Sequence, residues 1–164
     1  MGSMGRNVLF LLVSSFLLLP AVSKAGDDSA IKGGGSFGLG LELGEPGTWG
    51  AVGKLWLDKS DALQPAIKLG GGSTLLQLDY LWHDYDVIHP EDGLMPLYFG
   101  VGGDLSLQND VALGARGVVG ISYMFDRVKV RVDIYVQLVP EIWFYSGGLS
   151  NFYLYGELGS RYYF

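Results

Sequence analysis

The stretch Phe152-Tyr153-Leu154-Tyr155-Gly156-Glu157-Leu158-Gly159-Ser160-Arg161-Tyr162-Tyr163-Phe164 decides the fold. Read with the period of two of an extended strand, one face carries Phe152, Leu154, Gly156, Leu158, Ser160, Tyr162 and Phe164. The other carries Tyr153, Tyr155, Glu157, Gly159, Arg161 and Tyr163. Glu157 and Arg161 share a face, and no charge interrupts the opposite one. A strand needs this pattern when one side meets hydrocarbon and the other a polar lumen. Tyr162 and Phe164 are the aromatic insertion signal expected on such a strand, with barrel-assembly machinery and outer-membrane lipid as the partners it implies.

The same alternation recurs upstream. Phe37, Leu39, Leu41 and Leu43 oppose Gly38, Gly40, Glu42 and Gly44, and Glu45-Pro46-Gly47 turns the chain. Further strands are expected at about 48–57, 62–71, 74–84, 96–107, 111–125 and 128–138. Pro65 lacks a donor and is expected near a strand end or bulge. Residues 140–150 read as the last loop, before the strand quoted above. That makes eight strands, most of them near or above the roughly 9–11 residues that a tilted strand needs to cross a bilayer. The expected fold is all-β, an eight-stranded antiparallel up-and-down transmembrane β-barrel.

A soluble, lipocalin-like barrel also alternates, so the direction of the apolar face has to be argued. Gly38, Gly40, Gly44, Gly70, Gly100, Gly102, Gly114, Gly120 and Gly159 all share the face that carries the charges. An eight-stranded lumen is only wide enough for side chains to fill it, so long charged residues there need small neighbours. Crowding therefore favours apolar side chains outside. The lumen is then expected to hold a network of Glu42, Lys54, Lys68, Asp79, Asp104, Arg116, Lys129, Arg131, Asp133, Glu157 and Arg161. Buried charges cost several kcal/mol each without partners, so near-equal numbers of the two signs read as a paired, closed interior. The alternatives are a narrow pore and a soluble periplasmic lipocalin-like carrier.

Aromatic residues gather towards strand ends, as they do at headgroup level in membrane barrels. Trp143, Phe144 and Tyr145 fall in the expected last loop, outside the alternation, and are the candidate surface contact for a host or envelope protein. His83 and His89 lie with Asp84, Asp86, Glu91 and Asp92 in a solvated acidic turn whose spacing matches no metal site. No nucleophile motif and no phosphate-cradling loop is present. A non-enzymatic monomer without cofactor is expected.

The amino-terminal residues agree with this address. Arg6 precedes an apolar run, residues 8–19, then Pro20, with Ser23 and Ala25 at the positions a signal peptidase reads. Residues 1–25 are the expected signal peptide, 26–34 a short polar lead and 35–164 the barrel. The run is about a dozen residues, whereas a spanning helix needs roughly 20. Hydrophobic residues make up 49% of the 164, yet no later stretch is long and apolar enough for a membrane helix, so a closed sheet is the remaining way to pair every backbone group in lipid. Cys is 0, which excludes disulfides and thiolate metal sites. Losing Arg6 and Lys24 leaves 9 of the 11 basic residues against 17 acidic ones, a net charge of −8, which argues against nucleic acid.

The segments 38–46, 53–57, 80–83, 97–103, 116–123 and 161–164 resemble a family of small uncharacterised outer-membrane barrels of spirochaetes and other diderm bacteria. The resemblance runs over nearly the whole mature chain. It implies an outer-membrane protein A-like barrel in the bacterial outer membrane and carries no enzymatic residues. One departure is that three of the four outward connections are only a few residues long, where outer-membrane protein A-type barrels have long surface loops.

Overall fold

The computed structural model describes residues 36–44, 47–107, 111–125, 131–144 and 150–164. The segments expected as signal peptide and lead lie outside the described residues. The elements are eight strands: β1 (Phe37–Leu43), β2 (Trp49–Trp56), β3 (Asp61–Gly70), β4 (Ser73–Asp84), β5 (Leu97–Leu107), β6 (Val111–Met124), β7 (Val132–Phe144) and β8 (Ser150–Tyr163). Each pairs antiparallel with the next, and β8 returns to β1, so the sheet closes into a barrel. The end that carries Phe37 and Tyr163 is called the lower end, and the β1–β2 and β3–β4 turns lie at the upper end.

Closure fixes the geometry. Following paired residues once round the wall leads from Arg161 through Gly40, Val52, Ala66, Gln77, Asp104, Gly114 and Trp143 back to β8 at Asn151. The stagger from 161 to 151 is ten residues, which for eight strands sets a tilt of roughly 40°. So tight a wall brings backbones very close. A Cβ on Gly40 would lie 1.8 Å from the Ser160 carbonyl oxygen, so no other residue fits where β1 closes on β8. The β3–β4 turn is equally tight, with Gly71 and Gly72 at φ +60° and +79°, a conformation that favours glycine at both positions.

Two prolines sit inside strands. Pro65 lies in mid-β3 rather than at a strand end, and Pro140 lies within β7. In each case the ladder skips two pairs on one side: Val52↔Ala66 is followed by Leu55↔Leu63, and Arg116↔Glu141 by Val119↔Leu138. The residues opposite are Gly53 and Gly117, whose missing side chains leave room for the rings: a Cβ there would meet Pro65 Cγ at 3.2 Å and Pro140 Cγ at 3.3 Å. A proline costs one ladder bond, and a glycine across the gap absorbs the ring.

This corrects the expected last loop. β7 does not stop at Leu138 but continues through Pro140 to Phe144, with Trp143 buried in the barrel and Phe144 on its outer face. Of the candidate surface contact, Trp143 and Phe144 thus belong to the strand rather than to a loop, and Tyr145 lies outside the described residues. β7 also starts later than expected, at Val132.

Charged and aromatic side chains fill the interior in layers. At the lower end Trp56, Ala62, Met124 and Tyr163 form an apolar floor, on which Tyr85 and Leu94 of the β4–β5 connection pack. Leu94 and Met124 exchange backbone hydrogen bonds of 3.0 and 2.8 Å, which fixes that connection across the mouth. Val52, Ala66, Leu81, Tyr98, Val118 and Tyr135 form a middle layer, and Leu75, Ala112 and Trp143 an upper one. Charges occupy the two spaces between.

Candidate functional site

The two charged layers are the chemically distinctive part of the molecule. Between the floor and the middle layer, Arg161 of β8 grips Asp133 of β7 with two parallel bonds, Nε to Oδ1 at 3.0 Å and Nη2 to Oδ2 at 2.8 Å. Its remaining fork arm donates to Gln64, and Tyr163 donates to Asp133 at 2.7 Å. The guanidinium lies 4.0 Å from the Tyr135 ring, so its face is covered as well as its edge. Beside it, Lys54 Nζ donates to His83 Nε2 at 2.6 Å. His83 Nδ1 lies 2.8 Å from the Ser60 carbonyl, an acceptor only, so the proton sits on Nδ1 and leaves Nε2 free to accept from lysine. Lys54 also packs 4.3 Å from the Trp56 ring.

Above the middle layer a larger cluster gathers round two cations. Lys68 of β3 lies 2.6 Å from Glu42 of β1 and pairs with Glu157 of β8. Arg116 of β6 reaches four carboxylates: Glu157 at 2.7 Å, Asp104 at 3.2 Å, Asp79 at 3.3 Å and Glu141 at 3.7 Å. Glu157 thus bridges the lysine and the arginine. Five carboxylates face two cations here, and the surplus is met by neutral donors: Tyr135 to Glu42, Gln137 to Glu157 and Trp143 to Glu141 at 3.0 Å. Hydroxyl, amide and indole donors to a carboxylate are charge-assisted, roughly twice as strong as neutral pairs.

Nine of the eleven residues expected in the lumen are buried there: Glu42, Lys54, Lys68, Asp79, Asp104, Arg116, Asp133, Glu157 and Arg161. Arg131 is not, because it precedes β7 at the lower rim and is exposed. Lys129 lies outside the described residues. Glu141 is a further buried lumen residue that the sequence reading omits, because Pro140 reads there as a strand end, although Glu141 shares the odd-numbered inward face with Asp133, Tyr135 and Gln137. His83 is buried on the inward face of β4 rather than solvated, whereas Asp84, Asp86, His89 and Glu91 are exposed. Tyr162 and Phe164 face outward, stacked edge to face at 5.2 Å.

The chain was compared with protein-family models, curated proteins and solved structures. None matches.

The geometry has a clear chemical meaning. Each lumen carboxylate is turned towards a cation or a neutral donor of the wall, and among the described residues no three His, Asp or Glu side chains converge as metal ligands do. Tyr98, whose hydroxyl donates to Gln137 at 2.8 Å, and Tyr135 lie across the bore between the two layers. The outer wall is the reverse. Leu41 is 67% exposed, Leu138 57% and Leu113 59%, and a shallow apolar groove runs between Leu78, Leu105 and Leu113 where Gly103 lacks a side chain.

Proposed function

We propose that this chain is a non-enzymatic integral barrel of a bacterial outer membrane, with a structural or contact-making role and a closed, charge-paired lumen. The observation that carries the reading is the inversion of the usual arrangement: Leu, Val, Ile and Phe cover the outside while Arg, Lys, Asp and Glu are buried. In water that wall exposes far more contiguous apolar surface than a soluble monomer tolerates. In hydrocarbon it costs nothing, and the closed sheet leaves the wall with paired backbone. The height is also suitable. β7 has 13 residues, which at ~3.3 Å each and a tilt of ~40° rise about 30 Å, against an apolar band of about 25 Å in outer-membrane barrels.

A lipocalin-like carrier needs an apolar cavity for its ligand, and the lumen here is filled by ion pairs. A pore needs a continuous polar path, whereas three apolar layers cross the bore. Kinship with the small spirochaetal barrels remains part of this proposal and rests on the segments that resemble them. Fractionation tests it: the protein is expected with membranes, extractable only by detergent, and with the heat-modifiable gel mobility of a barrel. A protein that stays monodisperse in buffer without detergent overturns the reading.

A further inference from the structure

The two prolines mark lines of weakness on opposite sides of the barrel. In an antiparallel ladder, hydrogen-bonded pairs recur at every second residue. Leu57 N–H donates to Asp61 and Phe125 N–H to Val132, so Gly53 opposite Pro65 and Gly117 opposite Pro140 fall at hydrogen-bonding positions. Proline has no N–H to give, and the carbonyls of Gly53 and Gly117 lose their ladder donor. The two seams are built alike. Each has four unbroken pairs above its gap, beginning at Trp49↔Leu69 and Leu113↔Phe144, and resumes below it at Leu55↔Leu63 and Val119↔Leu138. The other ladders run without a skipped pair. Round the closed wall the seams lie four strands apart, so they divide it into equal halves: β3 to β6, and β7, β8, β1 and β2.

The lumen charges are placed across this division. Lys68 of β3 and Arg116 of β6 belong to one half, each on a strand that borders a seam, and both reach Glu157 of β8 in the other half. Glu157 receives the lysine on Oε1 and the arginine on Oε2. Lys68 also meets Glu42 of β1 at 2.6 Å. In the lower layer the bonds between halves go to neutral groups, from Arg161 to Gln64 and from Lys54 to His83. Each half is tied within itself as well, one by Arg116 with Asp104, the other by Arg161 with Asp133. We propose that the barrel opens along these two seams, its halves moving as rigid bodies hinged at Pro65 and Pro140, with Glu157 as the latch that holds them shut. Opening parts Lys68 and Arg116 from Glu157 and lets water into the upper charged layer, so the sealed lumen is one of two states of the wall. The inference rests on strand register and lumen contacts and does not depend on the membrane reading.

Hydrogen exchange read by mass spectrometry, on the full chain folded in detergent micelles, tests it. Local opening exposes only the amides of the unit that opens. Deuterium is expected to enter segments 50–56, 62–68, 114–120 and 137–143 about tenfold faster than segments 74–84 and 97–107 of the unbroken β4–β5 ladder. Glu157→Gln keeps the side chain's shape and removes its charge. Exchange at both seams is expected to rise about tenfold further, with the β4–β5 segments unchanged. Pro140→Ala returns an N–H to the Gly117 carbonyl and removes no buried group, so it decides the matter if Glu157→Gln does not fold. It is expected to slow exchange at the β6–β7 seam severalfold. Seams that exchange no faster than β4–β5, a Glu157→Gln effect confined to one seam or spread evenly over all strands, or an unchanged β6–β7 seam in Pro140→Ala would each overturn the proposal.

Discussion

Arg116 shows what a single side chain does in this interior. Its guanidinium stands among Asp79, Asp104, Glu141 and Glu157, all buried. Breaking a buried pair by removing one partner costs about 3–5 kcal/mol, because the other charge stays buried and uncompensated. Arg116→Met is therefore expected to destabilise by at least that much, measured by urea unfolding in detergent. Replacing Arg116 together with Glu157 and Asp104 by apolar residues is expected to recover part of the loss. Asp58 is the contrasting case, exposed in the β2–β3 turn. It accepts from Ser60 N–H at 2.8 Å and Asp61 N–H at 2.7 Å, and these bonds, Ser60 first, hold its carboxyl below the ordinary aspartate range. A lowered carboxylate stabilises the fold at pH above its unfolded value and loses that contribution as pH falls through its folded one. An NMR titration of Asp58 is expected to show a midpoint below the ordinary aspartate value, and Asp58→Asn to remove the difference in stability between neutral and acidic pH that this turn contributes.

At the scale of elements, the shortest strand is the most demanding. β1 has seven residues and joins the two ends of the sheet, with Gly40 pressed against the Ser160 carbonyl. Gly40→Val is expected to prevent closure, giving a chain that migrates identically with and without heating, while Gly156→Ala, in open space, leaves mobility unchanged. Seven strands were readable to within a few residues because each alternates strictly and ends at a Gly, Asp or Pro cluster. β7 was not, since Pro140 is a strand breaker by every local rule and its tolerance depends on Gly117, far away in sequence. That one misreading carries two errors at the site, Glu141 omitted and Trp143 placed in a loop rather than the upper core; the start of β7 at about residue 128 instead of Val132 is a separate one, and it is what puts Arg131 inside. Parity alone held the correct answer, because Val139, Glu141 and Trp143 continue the inward series. The sorting of charges into two layers was not legible at all, since it depends on the ten-residue stagger that only closure defines.

At the scale of the whole molecule, the proposed membrane placement makes a prediction that depends on depth. Leu138 lies near the middle of the outer wall on β7, and Val111 at the upper limit of β6, and both are more than half exposed. If water surrounded the wall, an arginine at either position would cost little, and the two substitutions would be alike. In a bilayer the cost follows depth: about 2–4 kcal/mol at the midplane, falling to about 0–1 near the interface. Leu138→Arg is accordingly expected to destabilise far more than Val111→Arg when both are unfolded by urea from lipid vesicles. The same pair in a short-chain detergent micelle is expected to show a smaller gap, because a micelle thins and wets around a buried charge more readily than a bilayer does. Equal costs in vesicles would mean that the apolar wall does not meet hydrocarbon, and the charge-filled lumen would then need a different explanation.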